Sequence, residues 1–79
     1  MKEILAKLMH KIWSKWVTYL FAVSVRNADG SVTIPVARVN KWVKQMETEY
    51  EELTEEEKNS DRNIAQVVIE EIKDYMGLQ

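Results

Sequence analysis

The chain has 79 residues, is 46% hydrophobic, carries a net charge of −2 and contains no cysteine. That size suits one domain, residues 1–79, near the lower limit for a core without staples. Disulfides, thiolate nucleophiles and cysteine metal sites are excluded. So is a membrane-spanning helix of ~20 residues, because the longest apolar run, Trp16 to Val25, is interrupted by Thr18 and Ser24.

The near-neutral total hides a division. Up to Met46 there are eight basic residues against Glu3 and Asp29, whereas residues 47–79 set eleven acids against Lys58, Arg62 and Lys73. Such a split marks a surface for an anionic partner, or two halves that attract each other within the fold or between subunits. The Lys2-Glu3 start, with no small-residue cleavage site after the apolar stretch, predicts a cytoplasmic protein with no leader.

The pattern predicts an all-α, three-helix domain with a turn-rich connection between the first two helices. A first helix is expected from Lys2 to about Phe21. Leu5, Leu8, Ile12, Trp16, Tyr19 and Val23 recur there at spacings of three and four, opposite Lys7, Lys11, Lys15 and Thr18. Trp13, Val17 and Phe21 form a second apolar row about a quarter-turn away. A small domain has little interior to cover two faces, so this row lines a pocket or, as we prefer, a contact between copies of the chain.

Asn27-Ala28-Asp29-Gly30 is a turn signal with alternating valines and isoleucine on either side, read as a short hairpin or an ordered loop. Pro35 opens a second helix that ends near Thr48. Val36, Val39, Val43, Met46 and Tyr50 form its expected core stripe, with Trp42 at the edge and Arg38, Lys41 and Lys44 opposite.

Thr54-Glu55-Glu56-Glu57 is a capping box that starts a third helix. Its acids favour the positive end of the helix dipole. Ile64, Val68, Ile72 and Tyr75 continue an apolar face, and Gly77 is the stop. A straight helical phase sets Asp61 within that face. Either Asn59-Ser60-Asp61 breaks and recaps the helix, or the Asp61 carboxylate is buried against Arg38, Lys41 or the Tyr19 hydroxyl.

Tyr50-x-x-Leu53-Thr54-x-x-Glu57-Lys58-x-x-Asp61-Arg62 resembles the ryanodine-receptor-type (RyR) domain, in which this segment leads into a long helix. Small stand-alone proteins of bacteria and phages carry similar segments after a Trp-rich helix, as Ile12-Trp13-Ser14-Lys15-Trp16 stands here. The resemblance covers that segment closely and the rest of the chain loosely. The Gly-rich turn and His-Pro element of the receptor repeats are absent. It implies a mainly helical fold, no catalytic residues and, in the microbial members, recognition of nucleotide-derived signals.

Enzymatic chemistry finds little support in the residues. His10 is the one histidine and has no acid at i±3 or i±4, so it reads as a surface or packing residue and not a general base. The Glu47–Glu57 block lacks the alternating ligands and central glycine of a calcium loop. No cofactor and no metal are expected.

Binding chemistry has better ingredients. Phosphate recognition needs fixed positive charge, and aromatic faces stack bases. Trp13, Trp16, Arg38, Lys41, Trp42, Tyr50, Asp61 and Arg62 are the candidate ligand residues; Trp13, Val17 and Phe21 are the candidate oligomer interface. Trp16 also has the central stripe position of a core residue, and Arg62 is placed to pair with a glutamate of the capping turn. The favoured function is non-enzymatic capture of an anionic nucleotide-type signal by a homo-oligomer. Alternatives are a protein adaptor or inhibitor that occupies a host protein through the acidic or tryptophan face, and single-stranded nucleic-acid binding. Duplex DNA is disfavoured by the acidic total and the lack of a base-reading helix.

Overall fold

The computed structural model describes residues 1–77, with the element order helix, two-stranded hairpin, helix, 3₁₀ turn, helix. Helix α1 (Lys2–Val23) is closed by Ser24. The Ser24 hydroxyl donates to the Leu20 carbonyl at 2.7 Å and its amide donates to Phe21 at 3.3 Å. Both bonds occupy carbonyls that a helix end leaves unpaired.

The connection is a hairpin. Strands β1 (Val25–Arg26) and β2 (Val32–Thr33) pair antiparallel, Val25 opposite Thr33 and Arg26 opposite Val32. Strands this short need help from the turn. Asn27 supplies it by donating to the hydroxyls of Ser31 and Thr33, each at 3.0 Å. Gly30 takes φ +92° within the turn, a conformation that side-chain-bearing residues rarely adopt.

Helix α2 (Val36–Met46) starts immediately after Pro35, whose carbonyl accepts from the amides of Arg38 and Val39 at 2.9 and 3.1 Å. It stops two residues before the expected end at Thr48. The acid-rich Tyr50–Glu52 segment is a 3₁₀ turn, which periodicity did not indicate.

Helix α3 (Glu55–Met76) opens with both halves of the capping box: the Glu57 amide donates to the Thr54 hydroxyl at 3.2 Å, and the Thr54 amide donates to Glu57 Oε1 at 3.0 Å. Gly77 ends it at φ +72°. The helix runs unbroken through Asn59-Ser60-Asp61 and Asp61 is exposed, so neither expectation for Asp61 holds. A hydrated carboxylate carries no burial penalty and needs no partner to sit within a continuous helix. Thr54→Ala should cost about 1 kcal/mol, read as a fall of about 4–8 °C in Tm. Thr54→Ser should melt like wild type, and equal losses in the two variants would rule out the cap as the cause.

The chain divides into two compact units. One joins the first half of α1, to Lys15, with α3. The Met1 ammonium donates to the Tyr75 hydroxyl at 3.2 Å, setting the start of α1 beside the end of α3. Leu8 is its buried residue at 7% exposure, with Ile4, Leu5, Ile12, Val68 and Ile72 half-buried.

The other unit, Trp16–Leu53, holds the second half of α1, the hairpin and α2. Its covered row on α2 is Pro35, Arg38, Trp42 and Gln45, all half-buried. The valine stripe expected to be core is instead turned outward: Val36 is 74% and Met46 76% exposed, with Val39, Val43 and Tyr50 also on the surface. An indole and an arginine stem offer more area to cover than two valines, and the guanidinium can keep its head wet while its stem packs.

Candidate functional site

Trp16, Tyr19, Arg38 and Trp42 converge in the second unit. Trp16 and Tyr19 stand three residues apart on α1 and their rings lie 5.6 Å apart, tilted by 33°. Trp42, one turn beyond Arg38 on α2, meets Trp16 edge-to-face at 5.3 Å. The offset and T-shaped arrangements are those that ring quadrupoles favour.

Arg38 completes the cluster. Its Nη1 donates to the Tyr19 hydroxyl at 2.9 Å, and its Cζ stands 5.9 Å from the Tyr19 ring centroid, within the range of a cation–π attraction. A guanidinium has about five N–H donors in a planar fork, of which the phenol takes one. Three aromatic rings and a positive charge therefore share one surface. Trp16 remains 45% exposed, which corrects its assignment to the core and leaves its ring within reach of a ligand. The expected positions of the cations change too: Lys41 and Lys44 are exposed on α2, but Arg38 is half-buried against α1 and does not stand in the same wet row.

The other candidates lie elsewhere. Trp13 belongs to the first unit and is 60% exposed, stacked on His10 with ring centroids 6.1 Å apart. Tyr50 is exposed in the 3₁₀ turn, and Asp61 is exposed on α3. Arg62 donates to Glu55 at 3.0 Å and to Asn59 at 2.8 Å, a helix-surface network that Lys58 joins at 3.8 Å from Glu55. Of the eight proposed ligand residues, three come together around a fourth that was not among them, Tyr19. The signal for it was the Trp16-x-x-Tyr19 spacing, which puts both rings on one side of a helix.

Two carboxyls titrate below their ordinary values. The Ser31 hydroxyl and amide, both donating to Oδ1, hold Asp29 down. The Arg62 hydrogen bond and charge, with Lys58 adding to them, do the same for Glu55. Both carboxyls are solvated, Asp29 paired within the hairpin turn and Glu55 within the first turns of α3. Among the described residues no group of three or more histidine or acidic side chains could hold a metal ion. No helix among them is long and apolar enough to cross a membrane.

The cluster offers groups suited to recognition. A phosphate or carboxylate can take the guanidinium edge, and a planar group can stack on an indole. Comparison with protein-family models, curated proteins and solved structures finds no match to this chain.

Proposed function

We propose that the chain is a non-enzymatic binding protein that holds an anionic, nucleotide-derived ligand on the Trp16–Tyr19–Arg38–Trp42 cluster. The observation that carries this reading is a guanidinium fixed by a phenol beside two partly exposed indoles. Arg38 contacts the phosphate and Trp16 or Trp42 stacks the base, with Lys41 adding positive charge one residue from Trp42. The resemblance of Tyr50–Arg62 to RyR-type segments extends the proposal. On that reading the ligand is a signal molecule, sequestered in the cytoplasm of a bacterial cell by a phage or bacterial product.

Self-association through Trp13, Val17 and Phe21 belongs to the same proposal. Trp13 and Phe21 are exposed at i and i+8 around the half-buried Val17. That exposure also favours the second reading, an adaptor that uses this face to occupy a host protein. Retention of one stoichiometric partner that is lost on Trp13→Ala would select it.

Isothermal titration against cyclic dinucleotides and ADP-ribose derivatives tests the first reading. Saturable heat with at least one of them, weakening as salt rises, is expected. Silence across the whole panel would remove the nucleotide proposal.

A further inference from the structure

Arg38 is a half-buried cation with no anion of its own. The Tyr19 hydroxyl accepts one hydrogen bond from Nη1 at 2.9 Å. Among the described residues no carboxylate stands within ion-pair distance of the guanidinium, and no other group accepts from it. The ion pairs among them are those of Lys58 and Arg62 with Glu55. The Nε–Nη2 edge of the planar fork is therefore open to an anion that accepts two parallel hydrogen bonds.

Charge decides what kind of anion that is. Lys41 and Lys44 on the same helix are exposed, where water and salt screen them. The guanidinium is thus the cation that meets a ligand within the cluster. A phosphodiester carries one negative charge, which Arg38 neutralises. A terminal phosphomonoester carries roughly −1.5 to −2 at neutral pH. It would bring surplus negative charge against aromatic rings, and taking that charge out of water costs more than one guanidinium recovers. The rings limit the bases in turn. Trp16 and Trp42 meet at 68°, so their faces cannot both lie flat on one base. One indole face stacks one base.

We infer that the cluster takes a nucleotide phosphodiester, one stacked base with one singly charged phosphate, ahead of a phosphomonoester or polyphosphate. Trp16, Tyr19, Arg38 and Trp42 all belong to the same unit, Trp16–Leu53. The inference rests on the nucleotide reading above and narrows it: a cyclic nucleotide or an internucleotide linkage suits the site, and a terminal phosphate does not.

Titration calorimetry of the wild-type chain with adenosine, 5′-AMP and the methyl ester of 5′-AMP varies the phosphate charge at constant base and sugar. Stacking accepts every base, so one purine serves. At about pH 7.5, above the second phosphate pKa of ~6, the methyl ester should bind about 3- to 10-fold tighter than 5′-AMP. Adenosine should bind most weakly. General attraction to a basic surface gives the opposite order of the two phosphates, because the more highly charged one is then the better ligand. That order overturns the inference and leaves the nucleotide reading standing. Adenosine as tight as the methyl ester overturns it too, since the phosphate is then not read. The dinucleotide ApA has the same diester in strand form and a second base, and should match the methyl ester within about threefold. A gain of about tenfold or more would place a second base in contact and overturn the one-base site. Arg38→Gln removes the charge and should bring the methyl ester and adenosine within about twofold of each other. An ester preference that survives this change overturns the assignment to Arg38. Silence with this series while a cyclic dinucleotide or an ADP-ribose derivative binds overturns the inference alone. Silence with all of them removes the nucleotide reading as well.

Discussion

Leu8→Ala is expected to cost about 2–3 kcal/mol, at the lower end of what buried leucines lose on truncation. The lower end applies because Leu8 is ringed by half-buried neighbours, Ile4, Leu5 and Ile12 on its own helix among them. Partly covered side chains can shift into the vacated space and recover some contact. Even so the change is large for a chain of this size, whose total stability is only a few kcal/mol. Thermal melting should show it as a fall of about 10–20 °C. Met9→Ala, one position along and 46% exposed, should stay within about 0.5 kcal/mol of wild type. If Met9→Ala were the more damaging change, the first unit would not be organised around Leu8.

The second large effect concerns recognition. On the proposed nucleotide reading, Arg38→Ala should weaken ligand binding about 10- to 100-fold, the range for loss of a charged hydrogen-bond partner. Arg38→Lys keeps the charge but loses the planar fork, so it should fall between alanine and wild type. Tyr19→Phe keeps the ring and removes only the hydroxyl that orients Arg38. It should therefore cost less affinity than Arg38→Lys. Titration calorimetry on the four proteins, with wild type included, gives the order directly. Wild-type affinity in Arg38→Ala would take the guanidinium out of the site.

The elements that were legible in the sequence are those whose causes lie within a few residues. The capping box is an i to i+3 relation, and both of its hydrogen bonds form. Asn27-Ala28-Asp29-Gly30 turns the chain because its own side chains and a glycine at positive φ close the hairpin. Arg62 finds Glu55 one helix turn and three residues away, again along one element. Asp61 was misjudged for the complementary reason. Helical phase assigns it a side of α3 but cannot say whether that side is covered.

The local signals of the sequence thus set the three helices, the turn between the first two, and the caps that begin and end α3, because each depends on neighbours that the chain itself holds close; that the turn closes a hairpin and not an ordered loop came from the structure. Tertiary structure alone decided which side of α2 is covered, and that Trp16, Tyr19, Arg38 and Trp42 meet. Arg38 and Tyr19 are 19 positions apart, and no periodicity links them. Periodicity favours the valine strip because it measures hydrophobicity. The folded unit covers the Arg38–Trp42 row because two large side chains gain ring contacts and a hydrogen bond that four smaller apolar ones cannot offer.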